Sequence, residues 1–425
     1  QHNPNGAFWG PMHWGHAASR DLVHWEHWPI ALAPTPGGPD AEGCFSGCAI
    51  DHDGVPMLVY TGVSPEVQCL AESRDGLRTW RKHPANPVIA APPADLHVTG
   101  FRDPCVWREN GAWMMALGSG LEGVGGAVLL YRSADLVHWD YLHPLCVGRE
   151  AETGAVWECP NFFPLGDRHV LITAPIPLRR AIYFTGGYQD HHFDPEAQGV
   201  VDWGGCYYAP QAMRDAQGRR LLFGWLWEGR SPESQRAAGW AGVMSLPRVL
   251  SLAAEGQLAM APAPELQALR RAHRHFEGLA IAPGTDLALP GVAGDRLEIA
   301  LHLDPGDAGL CGLRVLCAPD GSEETRIVYD RAAGQLTVDR ERSSLSPDVE
   351  REAHGGPLDL AAGQRLHLRV FVDRSVVEVF ANDTLCIASR VYPERTDSLG
   401  VGLLARGGGA RLQSLDVWTM DSIWR

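Results

Sequence analysis

A short phrase recurs in this chain: Ser19-Arg20-Asp21-Leu22-Val23-His24-Trp25 returns as Ser133-Ala134-Asp135-Leu136-Val137-His138-Trp139. A looser copy, Ser73-Arg74-Asp75-Gly76-Leu77-Arg78-Thr79-Trp80, lies between them, so that successive copies start 54 and 60 residues apart. The last copy follows the apolar run Val128-Leu129-Leu130-Tyr131, and the second and third precede His83-Pro84 and His143-Pro144. A strand, a tight turn and another strand would read this way. A self-similar unit of this length, made of short strands without helical periodicity, predicts propeller blades of about four strands each. Residues 1–262 hold a little under five such units. The expectation is an all-β chain that opens with a five-bladed β-propeller whose first blade is incomplete. Trp25, Trp80 and Trp139 recur with the unit and are assigned to blade packing.

Around Ala261-Pro262-Ala263-Pro264 the pattern changes, and Glu265 to Arg271 reads as a short helix with Leu266 and Leu269 on one face. Residues 263–277 are expected to be a linker. Beyond it Leu297, Ile299, Leu301 and Leu303 alternate with Glu298, Ala300 and His302, and Leu366, Leu368, Val370 and Val372 repeat the period of two. These are half-buried strands. Leu368 to Phe380 reads as a hairpin turning near Asp373-Arg374, and residues 278–425 as a β-sandwich. Asp373 and Glu378 lie within that hairpin and are read as turn and surface residues.

The 51 acidic and 36 basic side chains give a formal charge of -15, which repels phosphate backbones and anionic lipid. Neither nucleic acid nor a membrane surface is expected as a partner; a neutral small molecule or oligosaccharide fits better. No apolar run approaches the roughly 18 residues that span a bilayer. The ten cysteines, with Cys44/Cys48 and Cys311/Cys317 the closest pairs, have neither disulfide-framework density nor zinc-site spacing. They read as buried free thiols, which favours the cytoplasm, although the sequon Asn382-Asp383-Thr384 would allow glycosylation in a secretory setting. His13, His16, His24 and His27 lack the tightly spaced carboxylates or cysteines that metal sites add, and His191-His192 reads as a structural loop. No metal and no cofactor is expected.

Cleaving a glycosidic bond takes one carboxyl group to protonate the leaving oxygen and another to attack the anomeric carbon or activate water. Two acids have unusual, turn-bounded contexts. Asp103 lies in Gly100-Phe101-Arg102-Asp103-Pro104, where the proline biases it toward extended backbone and Arg102 would favour its charged form. Glu158 lies in Val156-Trp157-Glu158-Cys159-Pro160, where an indole and a thiol would partly desolvate it, as suits a general acid.

Set in order along the chain, these segments resemble glycoside hydrolase family 32, the invertases, inulinases and levanases. The resemblance rests on Gln1-His2-Asn3-Pro4 through Trp9-Gly10, His13-Trp14-Gly15-His16, Phe45-Ser46, Phe101-Arg102-Asp103-Pro104 and Trp157-Glu158-Cys159-Pro160. It continues with Asp202, Tyr207-Tyr208-Ala209-Pro210-Gln211, Phe223-Gly224-Trp225, Gly239-Trp240-Ala241-Gly242 and Ser245-Leu246-Pro247-Arg248. It ends in Val372-Asp373-Arg374-Ser375, Glu378-Val379-Phe380 and Arg390-Val391-Tyr392-Pro393. The resemblance implies a five-bladed propeller with an axial funnel, a C-terminal sandwich, and release of β-linked fructose from sucrose or fructans by a retaining double displacement. It implies Glu158 as acid/base, Asp103 as transition-state stabiliser, and Gln1, Trp9, Phe45, Ser46, Arg102, Tyr208 and Trp225 as substrate-binding residues.

The family's nucleophile is an aspartate in an Asn-Asp-Pro-Asn-Gly motif. His2-Asn3-Pro4-Asn5-Gly6 is not taken as that motif, because Trp9-Gly10 and Trp14-Gly15-His16 follow at the intervals expected of the family's second motif. The nucleophile is therefore expected upstream of Gln1, and the chain as given is expected to be inactive. A non-catalytic fructan-binding protein, a hydrolase of arabinose-type furanosides and a fructosyltransferase are the competing readings.

Overall fold

Each copy of the repeated phrase folds into the same kind of turn. Asp21 Oδ1 accepts the backbone N–H groups of Val23 and His24 at 3.2 and 2.8 Å, and Asp135 Oδ1 those of Val137 and His138 at 2.9 and 2.8 Å. In the looser copy Asp75 takes the N–H and hydroxyl of Thr79. Leu22, Leu77 and Leu136 occupy the left-handed region at φ 66, 70 and 69°, which the carboxylate bonds hold in place. The Trp25 and Trp139 indoles donate back to the carbonyls of Leu22 and Leu136. Every copy joins the last two strands of a sheet: Trp14–Ser19 to Trp25–Leu32, Val67–Glu72 to Arg81–Lys82, and Gly125–Ser133 to Trp139–Val147.

The computed structural model describes residues 1–361 and 363–424. Antiparallel sheets of two, four, four, four and five strands follow one another over residues 14–262. The first strands of the last four sheets are Gly43–His52, Val98–Glu109, Val156–Leu165 and Tyr207–Arg214, and each packs against the next. They are the innermost strands of the propeller. Trp25 of the first sheet meets Phe223 of the fifth edge-on at 6.2 Å, which brings the two ends of the series together.

Apolar faces of consecutive sheets interleave. Val59 and Leu70 pack with Phe101, Met115 and Leu117, whereas Met114 and Ala116 from the same strand pack with Trp157, Phe162 and Leu171. Met114 and Met115 are both fully buried, because a sheet lies over each face of their strand. Each such side chain contributes about 1.5–3 kcal/mol on burial.

The remaining strands form a sandwich of a seven-stranded and a six-stranded sheet. Leu297, Ile299, Leu301 and Leu303 face Cys311, Leu313 and Val315 across its core, as their alternation requires. The linker expected over residues 263–277 is shorter than that. Pro264–Leu269 is a 3-10 helix, and Arg270–Glu277 is an edge strand paired antiparallel with Ala410–Met420. It escaped the sequence reading because an exposed edge strand, here rich in Arg and His, has no apolar alternation to show.

Asp373 is exposed at its turn, but Glu378 is not a surface residue: it is 2% exposed. Its sheet is covered twice, by the sandwich core on one face and by the propeller on the other, where Phe371, Val376 and Phe380 join Tyr207 and Leu222. Glu378 accepts the Leu246 N–H at 2.7 Å and pairs with Arg248 at 2.9 Å, and Arg248 pairs with Asp202 at 2.8 Å. The ten cysteines are unpaired and seven of them are buried. No helix among the described residues is long and apolar enough to cross a membrane.

Candidate active site

All four innermost strands lose register, between Cys44 and Gly47, Arg102 and Cys105, Glu158 and Asn161, and Tyr208 and Gln211, and Val98–Glu109 does so a second time between Val98 and Gly100. In the last three of these strands, a residue at positive φ precedes a proline: Asp103 (64°), Cys159 (48°) and Ala209 (45°), so Asp103 is left-handed rather than extended as Pro104 led the sequence reading to expect. Proline cannot donate to the ladder, and a left-handed L-residue cannot continue it, so pairing breaks and neighbouring side chains are re-aimed. Phe45, Ser46, Arg102, Asp103, Glu158, Cys159 and Tyr208 all stand at these breaks. Gly118 is needed beside them: a Cβ there would lie 2.5 Å from the Trp157 carbonyl oxygen and 2.8 Å from that of Arg102.

A polar cluster drawn from four sheets gathers at the breaks. Arg102 Nε donates to Glu158 Oε1 at 2.9 Å, and the Tyr208 hydroxyl donates to Glu158 Oε2 at 2.6 Å. Arg102 Nη1 donates to Glu66 Oε1 at 2.7 Å, while Glu66 Oε2 takes the Phe101 N–H. Asp103, only 4% exposed, accepts the Cys159 N–H at 2.9 Å and donates its own N–H to Thr61 Oγ1. Glu158 keeps 22% of its side chain exposed. One carboxyl group is thus open to solution, and the other is buried beside it.

Burial, and next the negative charge of Glu158, push the Asp103 carboxyl up to about 6 against the opposing pull of Arg102. Arg102 favours the charged form, as expected from the sequence, but burial outweighs it, since the guanidinium aims its donors at Glu158 and Glu66. Burial and the neighbouring Glu158 raise the Tyr208 phenol, which keeps it a proton donor. The Trp157 indole does not flank the Glu158 carboxyl either. Neighbours on a strand face opposite ways, and this indole is fully buried, donating to the Thr153 carbonyl.

The remaining residues singled out from sequence gather around this cluster. Gln1 Nε2 donates to Ser46 Oγ at 2.9 Å. Trp9, largely exposed, meets Phe45 edge-on at 5.7 Å. Trp225 lies directly across the ladder from Tyr208, with Trp227 packed on both at 5.3 and 4.7 Å. Glu66 and Trp227 went unrecognised in the sequence; neither carries a local signal, and only the folded ring brings them here. Among the described residues no group of His, Cys, Asp and Glu is arranged to hold a metal ion. Two carboxyl groups of unequal exposure, fixed by donors and edged by aromatic rings, suit acid-assisted cleavage of a sugar linkage.

Comparison with known proteins gives the following. Residues 1–262 match the glycosyl hydrolases family 32 N-terminal domain, and residues 265–419 match the glycosyl hydrolases family 32 C terminal domain. Sucrose-6-phosphate hydrolase of Zymomonas mobilis is 36% identical, over 99% of this chain and 86% of that protein. Raffinose invertase of Escherichia coli is 35% identical, over 99% and 89%. The crystal structure of fructan 1-exohydrolase IIa from Cichorium intybus superposes with a TM-score of 0.91 at 27% identity, covering 100% of this chain and 92% of that one.

Proposed function

Because the chain belongs to glycosyl hydrolase family 32 and is a glycoside hydrolase of β-fructofuranosidase type, we propose that it releases β-linked fructose from sucrose or fructans by a retaining double displacement. Glu158 is the acid/base and Asp103 the transition-state stabiliser. The observation that carries this reading is the pair of donors on one solvent-facing carboxyl group, Arg102 on Oε1 and Tyr208 on Oε2.

Glu158 gives its proton to the bridging oxygen as the glycosidic bond breaks, and the two donors stabilise the carboxylate left behind. In the second half-reaction the same carboxylate takes a proton from the incoming water. Asp103 sits below as a buried anion whose hydrogen bonds to fructose hydroxyls tighten as the ring gains oxocarbenium character, and only such strengthening accelerates the step. Neither residue is assigned to the attack on the anomeric carbon. Asn3 is not assigned to it either: its side chain closes its own turn, donating to the Phe8 carbonyl and accepting the Asn5 N–H. Gln1, Trp9, Phe45, Ser46, Arg102, Tyr208 and Trp225 line the fructose pocket. Ten unpaired cysteines support a reducing compartment, the cytoplasm.

The test compares Glu158→Gln with the parent protein, as its gene encodes it, on sucrose and on an aryl β-fructoside with a good leaving group. Loss of the general acid lowers turnover of sucrose by about 10²–10⁴-fold and spares fructosyl transfer from the aryl fructoside. Sucrose turnover within a few-fold of the parent overturns the assignment.

A further inference from the structure

Glu66 belongs to the second sheet, in the turn between the antiparallel strands Val55–Val63 and Val67–Glu72. From there it reaches the third sheet. Its Oε2 accepts the Phe101 N–H and its Oε1 accepts from Arg102 Nη1, both at 2.7 Å. One carboxylate thus ties the Arg102 guanidinium to the backbone of the preceding residue.

The same hairpin also holds this strand by other means. Gln68 Nε2 donates to the Phe101 carbonyl at 2.9 Å, and Thr61 Oγ1 accepts the Asp103 N–H at 2.9 Å. Thr61 and Gln68 are hydrogen-bonded to each other and fully buried. The backbone on either side of Arg102 is therefore fixed without Glu66. Of these three side chains, Glu66 is the one that bonds the guanidinium, and it does so through a different nitrogen from the one that serves Glu158.

The charges around Arg102 give that second bond its importance. The guanidinium lies in the field of three carboxyl groups, Glu158, Glu66 and Asp103. Asp103 is buried and turns an oxygen to the Cys159 N–H, and Glu158 must carry a proton when the glycosidic bond breaks. In that state Glu158 no longer balances the charge of Arg102. Glu66, which takes no part in the proton transfer, still does. A guanidinium only 14% exposed is costly without a counter-charge, and a side chain held at one nitrogen is less narrowly aimed than one held at two.

We propose that Glu66 is a positioning residue for the cleavage step: it clamps Arg102 so that Nε stays on Glu158 Oε1 while Glu158 gives up and regains its proton. The inference rests on the hydrolase reading above, in which Glu158 is the acid/base. Glu66 acts only through Arg102.

The test is Glu66→Gln in the parent protein as its gene encodes it. The substitution keeps the size of the side chain. Its amide oxygen can still accept the Phe101 N–H, but its amino group then faces Arg102 Nη1, donor against donor. Steady-state kinetics compare sucrose, whose leaving group needs a proton, with an aryl β-fructoside, whose leaving group does not. The expected result is kcat/KM about tenfold or more lower on sucrose and within about threefold of the parent on the aryl fructoside. A double-mutant cycle with Glu158→Gln then reads the route of the effect: once Glu158 cannot donate a proton, adding Glu66→Gln is expected to cost nothing further on sucrose. Equal loss on both substrates marks Glu66 as a structural residue and overturns the proposal. So does a loss on sucrose below about threefold, or one that persists in full beside Glu158→Gln. If Glu158→Gln alone spares sucrose turnover, the hydrolase reading itself fails, and the clamp fails with it.

Discussion

The Tyr208 hydroxyl donates to Glu158 Oε2 at 2.6 Å across 50 residues of chain, and the same hydroxyl lies 2.9 Å from the Ala174 carbonyl oxygen. The phenol has one proton to give, and with Arg102 it fixes the carboxyl group. Tyr208→Phe removes one hydrogen bond to a charged group, an interaction of about 1.5–3 kcal/mol. In the parent protein as its gene encodes it, steady-state assays on sucrose should show kcat/KM lowered by about 10- to 100-fold, with circular dichroism unchanged.

Asp103 carries a pH signature in stability. Its carboxyl is raised to about 6 in the fold from an ordinary 3.8. Between these values the native state holds a proton that the unfolded chain has released. The stabilisation from this group is therefore complete below pH 3.8 and lost as pH rises through 6. Urea unfolding at pH 4 to 7 should show Asp103→Asn removing a loss on the order of 2–3 kcal/mol across that interval. Parallel curves for variant and parent would contradict the burial argument.

Glu378 joins the two domains through Arg248 and Asp202, in a setting where all three side chains are at most 3% exposed. Glu378→Ala leaves the guanidinium short of a partner and the Leu246 N–H without its acceptor. Breaking a buried pair in this way costs about 3–5 kcal/mol. Urea titration should give a correspondingly lower midpoint, and a loss below 1 kcal/mol would mean that the interface rearranges to admit water.

Gly118→Ala tests the close approach of the strands that bear Arg102 and Glu158. The added methyl meets two backbone oxygens, at 2.5 and 2.8 Å, which cannot rotate away. The strands must separate, so turnover is expected to fall about 10²-fold through misplacement of Glu158, with a lower thermal midpoint in the same preparation.

What the sequence revealed follows the range of the forces involved. The Ser-x-Asp-Leu turn was legible because its bonds close within three or four residues, and the sandwich strands because their period is two. Asp103 and Glu158 stood out through their prolines, which mark the very positions where the ladder breaks. The tie between Arg102 and Glu66 has no local trace, for 36 residues separate the partners. Glu378 was misread for a related reason: alternation tells which face of a strand a residue occupies, but not that a second domain covers that face. The strand Arg270–Glu277 hid because its partner, Ala410–Met420, lies at the other end of the sandwich sequence.

The register break beside the site in each innermost strand separates two duties that most sheets combine. The rest of each strand carries the ladder and the apolar weight, whereas the side chains beside each interruption bear little of either. Exchanging Phe45, Ser46 or Tyr208 for other residues therefore alters what the funnel admits before it alters whether the ring holds, so substrate preference in this scaffold can drift over generations without repeated rescue of its stability.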